Sequence, residues 1–332
     1  MNHCDRAIFF IMKRLLLILS MKPNILVGGQ AVIEGVMMRV PGAYATAVRN
    51  PDGDIKVKRK KFSSITEQSF LWSKPIFRGI ASLYEAMKMG MSTLQWSADI
   101  SYPEESSEGV LSKVLDFITT IFSIILAVSL FMVLPMWLTT RLLSIEKEAL
   151  WFNLSSGVFR IVFFVVYLFL ISKIKDIGRL FQYHGAEHKV VYNFESGKNI
   201  SVKDAQSFPT QHPRCGTSFM FIVLLSAIFV FAIVDTIIMY YFGSISLSIR
   251  LLTHLPLIPL VSGIGYELIK ITSKSNLLIF RMLKAPGILL QNITTKQPDD
   301  KMVEVSITAL ENAFGEDYEN YRGKKYTAEA IG

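Results

Sequence analysis

A chain of 332 residues that is 51% hydrophobic, with a mean hydropathy of +0.38, is too apolar for an ordinary soluble enzyme and reads as an integral membrane protein. Its formal charge of +8 reads as membrane topology and affinity for anionic lipid, which removes nucleic acid from the expected partners. Cys4 and Cys215, the two cysteines, both fall on the expected reducing side of the membrane, so no disulfide is expected.

Residues 1–21 read as an N-terminal extension. Arg6, Lys13 and Arg14 precede or interrupt short apolar runs, and no small-residue cleavage site follows. The extension is either a weak interfacial segment or the product of an upstream start codon, with initiation at Met21. Residues 22–110 read as a cytoplasmic α+β region. Ala31–Arg39 is one apolar strand interrupted by Glu34 and turned at Pro41-Gly42. Tyr44–Arg49 and Asp54–Lys60 flank the turn Asn50-Pro51-Asp52-Gly53, which predicts a sheet of two or three strands. Ile55 and Val57 alternate with Lys56 and Lys58, as in a half-buried strand. Ser64-Ile65-Thr66-Glu67 has the form of a capping box. Ile76, Ile80, Leu83, Tyr84, Met87, Met91 and Leu94 then form one helical stripe, which suits packing on the sheet or the bilayer surface better than a cofactor. Residues 101–110, acidic and serine-rich, form a linker.

The region 111–270 is predicted to hold four transmembrane helices. Phe117–Thr140 carries no charge, Ala149–Ser172 is broken only by Arg160, and Cys215–Val234 ends at Asp235. A weaker fourth span, Ile245–Tyr266, contains Pro256, Pro259, Gly263 and Gly265 and is expected to be kinked or locally unwound. Arg160, Asp235 and His254 lie in the outer halves of their helices, where ionisable groups pair or line a cavity, so an Arg160–Asp235 pair is expected. The segment 173–214 carries seven Lys/Arg, and both ends of the chain are basic. The positive-inside rule therefore places both termini and this histidine-rich loop, 173–216, in the cytoplasm of a multi-pass plasma-membrane protein. Residues 271–332 are read as cytoplasmic or interfacial. Asn276–Asn292 is expected to be a broken interfacial helix, interrupted by Arg281, Lys284 and Pro286-Gly287. Asp299-Asp300 opens a final helix with Val303, Ile307, Leu310 and Phe314 on one face.

The chemistry-bearing motif is His184-Gly185-Ala186-Glu187-His188. Residues four apart share a helix face, so His184 and His188 can grip one metal ion with Glu187 beside them, the reverse of the H-E-x-x-H order. His212-Pro213-Arg214-Cys215 returns to the same membrane face with a third imidazole and a thiol, and Glu267 could reach the layer. His184, His188, His212, Cys215 and Glu267 are thus candidate ligands for Zn²⁺ or another divalent transition metal. If all three histidines and Cys215 bind, the site is closed and structural. If only three groups bind, with His184, His188 and His212 the favoured set, or if Glu267 replaces one, a position stays open, Glu187 is the candidate general base, and Arg214 stabilises developing negative charge or holds an anionic substrate. Cys215 as a nucleophile is a third option. Gly185 costs about 1 kcal/mol in mid-helix, so the motif would sit more comfortably near a helix N-terminus. The Gly28-Gly29 pair lacks the spacing that would follow in a phosphate-binding loop. Glu34 and Arg39 are candidates for buried pairing, or for reaching toward the histidine segment.

Gly28–Arg39 (GGQAVIEGVMMR), His184–Lys189 (HGAEHK), His212–Phe219 (HPRCGTSF) and Gly265-Tyr266-Glu267 together resemble the YqhQ-like family, from about residue 22 to residue 315. These are bacterial polytopic membrane proteins with a domain of unknown function, often labelled as predicted metal-dependent enzymes. The resemblance implies that fold and that activity class, but it names no substrate, and its metal label rests on the same histidines. The expected function is a metal-dependent hydrolase at the cytoplasmic membrane face, acting on a membrane-proximal substrate, in contact with the bilayer and compatible with a homo-oligomer. The alternatives are a membrane scaffold or assembly factor with a structural metal site and, third, a transporter.

Overall fold

The computed structural model describes residues 27–103, 110–145, 147–213, 215–273 and 278–326. The expected N-terminal extension, most of the acidic linker and Arg214 lie outside the described residues. The apolar run read as one strand is folded into two. β1 (Gly28–Val32) and β2 (Gly35–Val40) pair antiparallel with Val32 opposite Gly35, so Ile33-Glu34 is a two-residue hairpin turn. Hairpins of this length need positive φ and favour Asn or Gly; Glu34 supplies it at φ +50°. Its carboxylate accepts from both Nε (2.6 Å) and Nη2 (2.5 Å) of Arg179. That pairing ties the hairpin to the helix carrying the histidine motif. β3 (Ala43–Arg49) and β4 (Ile55–Lys61) complete a four-stranded meander in the order β1-β2-β3-β4. The Asn50 turn forms as expected, with the Asp54 amide donating to Asn50 Oδ1 at 2.8 Å. β4 is an edge strand and more exposed than its alternation implied: Val57 is 38% exposed, and the lysines blunt the edge.

The longer helices are α1 (Phe77–Ser101), α2 (Val110–Val128, continued to Leu143 through π-helical turns around Pro135), α3 (Ala149–Ile171) and α4 (Lys175–Glu195). They continue with α5 (Gly216–Phe242), α6 (Leu247–His254), α7 (Ile258–Ser273), α8 (Leu278–Thr294) and α9 (Asp300–Phe314). Ser64 caps a single turn at Ile65–Gln68, as its motif predicts.

The N-terminal sheet does not close a core by itself. On one face Met37 and Tyr44 pack with Met89 of α1 and with Phe62. On the other, Val36, Met38, Val40, Ala45 and Ala47 pack against α4 (Tyr183, Ala186, Val190, Phe194) and α9 (Val303, Leu310, Phe314). Helix α9 also buries Met302, Val305, Ala309 and Ala313, a wider face than one stripe, because it lies between sheet and helix. Asp299 caps its start, accepting from the Met302 amide at 2.8 Å. Arg59 donates to the carbonyls of Ala313 and Phe314 at its end, the position where a helix favours a cation. The α1 stripe is not the face that meets the sheet: Tyr84, Met87, Met91 and Leu94 are exposed, and Met89, Gly90, Thr93 and Ser97 are buried instead.

Four helical stretches are long and apolar enough to cross a membrane: Phe117–Leu143, Ala149–Ile171, Gly216–Phe242 and Leu247–Thr272. The fourth is interrupted as the prolines predict, by a 3₁₀ turn at Leu255–Leu257 between α6 and α7. Helix α8, expected to be broken, runs continuously through Pro286 and packs on α5. The expected Arg160–Asp235 pair does not form. Asp235 is fully buried and holds Arg250 (Nη1–Oδ2 2.9 Å), Asn153 (Nδ2–Oδ2 2.7 Å) and His254 (Nε2–Oδ1 3.0 Å). Arg250, a position inside the expected fourth span, sits in α6 one turn before His254 and takes the carboxylate.

Candidate metal centre

The histidine segment is a helix rather than a loop. In α4, Phe181, Tyr183, Ala186, Val190, Val191 and Phe194 are buried at helical spacing, Asp176 lies in the first turn, and the motif falls in the middle. Gly185 is explained by close approach: a Cβ there would lie 2.1 Å from the Lys296 carbonyl oxygen. The strand-like segment after α8 crosses α4 at this point, and the Lys296 amide donates to Phe181 O at 2.9 Å. The helix-propensity cost of glycine is the condition for bringing the end of α8 against the histidines.

His184, His188 and Cys215 converge, with one donor atom of each within 4.8 Å of the others. His184 Nε2 lies 3.2 Å from Cys215 Sγ, and the two imidazole centroids are 4.5 Å apart. His184 Nδ1 lies 2.8 Å from Thr294 O, and His188 Nδ1 is bonded to Thr210 O. A carbonyl can only accept, so both Nδ1 atoms carry the proton. In neutral imidazoles that leaves each Nε2 with a lone pair. Thr217 Oγ1 donates to the same sulfur at 3.4 Å. Three lone-pair atoms therefore share at most one thiol proton. Converging lone pairs suit a cation, and carbonyls fixing the remote ring nitrogen are the usual support of histidine ligands. The residues present fit a divalent transition metal.

Around these three, His212 is buried behind His188, with ring centroids 5.6 Å apart and Tyr192 at 4.3 Å. Its Nε2 is 3.6 Å from Glu195 Oε2, but burial pushes the imidazole down to about 4, so the ring is neutral and the contact is not a charge pair. His212 is thus beside the converging donors, not among them. Its backbone is gripped by Gln291, which accepts from the His212 amide at 2.6 Å and donates to its carbonyl at 2.9 Å. Glu187 is buried below the histidines. Burial raises its carboxyl above the ordinary range, opposed by His184, His212 and the amide of Gly29. Burial likewise lowers His188, opposed by Cys215.

Glu267 is engaged elsewhere. Arg78 grips it through Nε (2.6 Å) and Nη2 (2.5 Å), and it accepts from the Ile76 amide at 3.3 Å. Ile76 sits at φ +69° in a tight turn closed by the Phe77 amide on Pro75 O, and Glu267 is part of what holds that strained turn. Arg39 stacks on Phe62 at 4.3 Å rather than approaching the histidines. Thr294, Thr210 and Gln291, whose polar groups orient the site, carried no signal in the sequence. Gly29 did, as half of a glycine pair, but its reason is contact: a Cβ there would meet Met37 O at 2.7 Å and Glu187 Cγ at 2.8 Å.

A bundle with four span-length apolar helices, joined to a sheet through a helix bearing a His/His/Cys cluster, defines a class of helical membrane-type proteins. The chain belongs to the family described as "Protein of unknown function (DUF1385)", whose model matches residues 74–316. It is similar to a Bacillus subtilis (strain 168) protein described as "Uncharacterized protein YqhQ". The two are 30% identical over 298 residues, covering 85% of this chain and 90% of that protein. No solved structure matches.

Proposed function

We propose that this chain is a membrane-embedded metal-dependent hydrolase whose site holds a divalent transition metal, zinc first, through His184 Nε2, His188 Nε2 and Cys215 Sγ. The observation that carries the reading is the convergence of these donors, with both Nδ1 protons pinned on backbone carbonyls. Zinc held by three protein donors supplies Lewis acidity and an open coordination position. Glu187 is the group to accept a proton from an attacking water, because burial raises its carboxyl and makes it a stronger base than a solvated carboxylate, and the Gly29 amide fixes its orientation. His184, the least buried of the three ligands, lies on the side from which substrate enters. In this reading the exposed apolar side chains of α2, among them Phe117, Phe122 and Ile125, face lipid, and the basic segment around α4 faces the cytoplasm. The substrate is membrane-proximal, and Arg214 is its candidate anion contact.

A structural role for the metal is the second reading. It is favoured by the fact that the donors and their carbonyls join α4, the start of α5 and the end of α8. Metal analysis of the full chain, purified without chelators, tests both. Stoichiometric metal that disappears in Cys215→Ser supports a site, and a metal-free wild type ends both readings. Glu187→Gln then separates them: the hydrolase keeps its metal and loses function in complementation, whereas a structural site tolerates the change.

A further inference from the structure

A second buried polar cluster lies toward the other end of the bundle, built from Asn153, Ser156 and Arg160 of α3, Asp235 of α5, and Arg250 and His254 of α6. Asp235 to Cys215 is twenty residues of helix, about 30 Å, so this cluster is separate from the histidine site. Arg160 and Arg250 are cations, each at most 5% exposed, and Asp235 is the buried carboxylate of α5 among them. That carboxylate is already taken by Arg250, Asn153 and His254. Arg160 lies 5.5 Å from the Phe231 ring and leaves both Nε and Nη2 buried without a hydrogen-bond partner. Ser156 Oγ, one turn earlier on the same buried face of α3, is also without a partner.

Nε and Nη2 form the side-on edge of a guanidinium, whose two parallel N–H groups match the two oxygens of a carboxylate or phosphate. Elsewhere in this molecule that edge is filled. Arg78 uses it on Glu267, and Arg179 uses it on Glu34. Arg160 presents the same edge, as deeply buried as that of Arg78, with nothing accepting from it. A buried guanidinium edge left without acceptors is costly.

We propose that Arg160, with Ser156, forms a binding site for an oxyanion, gripped side-on by Nε and Nη2 between α3, α5 and α6. The chemistry is that of a phosphodiester lipid headgroup or of a small soluble oxyanion such as phosphate or acetate. Chloride, with one acceptor centre, does not fill the fork in the same way.

The test is thermal unfolding of the full chain in a zwitterionic detergent, titrated separately with dihexanoyl phosphatidylglycerol, inorganic phosphate and sodium acetate, each against sodium chloride at equal ionic strength. The expected result is saturable stabilisation by at least one oxyanion beyond the chloride control. A response to the lipid alone identifies a headgroup site, and a response to phosphate or acetate alone identifies a soluble ligand. Arg160→Gln should abolish the saturable response. Arg160→Lys, which keeps the charge and loses the fork, should weaken apparent affinity by about tenfold or more. The lysine variant also serves if the glutamine variant fails to fold. Arg179→Gln, at a surface pair, should leave the response unchanged. No saturable stabilisation by any oxyanion means that water alone solvates Arg160 and overturns the proposal, as does an undiminished response in Arg160→Lys and Arg160→Gln.

Discussion

At the start of α5, Cys215 meets His184 and His188, three lone-pair atoms with at most one proton among them. Toward its other end, Asp235 meets Arg250, His254 and Asn153, while Arg160 stands by with N–H groups that no oxygen accepts. Both clusters are buried, so neither can rely on bulk water. The first has more lone pairs than protons, and the second has an Arg160 edge with more donors than acceptors. Buried polar groups are satisfied within a fold wherever geometry allows, and these two opposite surpluses are what the two ligand proposals rest on. Arg78–Glu267, between α1 and α7, shows a buried ion pair closed completely elsewhere in the same fold.

The largest expected effect is at the acceptor-poor end. Asp235→Asn leaves Arg250 buried against an amide and should destabilise the protein by about 3–5 kcal/mol, as breaking one side of a buried pair does. Thermal unfolding in detergent measures it, and unchanged stability would show that the cluster is not organised by this carboxylate. At the donor-poor end the effect is conditional. Metal at a hundredfold excess over its dissociation constant stabilises by about 2.7 kcal/mol, so a chelator should lower the unfolding temperature of wild type and leave Cys215→Ser unmoved. Equal chelator sensitivity in both proteins would place any metal elsewhere. Gly185→Ala is next. Its methyl group collides with Lys296 O and displaces the segment that carries Thr294, at a cost of about 1–3 kcal/mol. Because Thr294 O fixes the His184 tautomer, metal affinity should fall together with stability. A variant that loses stability but binds metal as wild type would separate the crossing segment from the site.

Much of this arrangement was legible in the sequence. His184 and His188 at a separation of four sufficed to name two of the converging donors, because helix periodicity is local, but the favoured third ligand was His212, where the structure brings Cys215 instead. Gly185 was noticed for the wrong reason: its helix penalty is real, but the segment it makes room for begins more than a hundred residues later. The Ile33-Glu34 hairpin was hidden because its residues are poor turn formers, and the compensation comes from Arg179 on another element. Arg250 was missed as a charge partner because position along a span gives depth but not azimuth, and the 3₁₀ turn before α7 shifts the register of everything preceding it. Glu267 failed as a ligand for a similar reason, since nothing near it in sequence shows that Arg78 and the strained Ile76 turn claim it. Long-range choices of partner are what one chain alone conceals.

The smallest expected effect concerns protons at the donor-poor end, in chelator-treated protein. His212 is lowered from an ordinary 6.5 to about 4 by burial, so its contribution to stability is complete above the unfolded value and is lost as pH falls toward about 4. Between pH 7 and 5.5 this amounts to about 1 kcal/mol. Glu187 runs the other way. Its raised carboxyl takes up a proton in the folded protein before the unfolded one does, so acidification stabilises the fold through Glu187, and that contribution is lost as pH rises. The two groups sense each other and partly cancel in wild type. Glu187→Gln removes one side of the balance and should expose a steeper loss of stability on acidification, whereas His212→Gln should flatten that loss between pH 7 and 5.5. Unfolding temperatures of the three proteins across that range decide it. If His212→Gln follows the wild-type slope, the neutral buried imidazole is not the source of the acid sensitivity. A steeper slope in Glu187→Gln alone would still show that the buried Glu187 carboxyl takes up a proton in the folded protein.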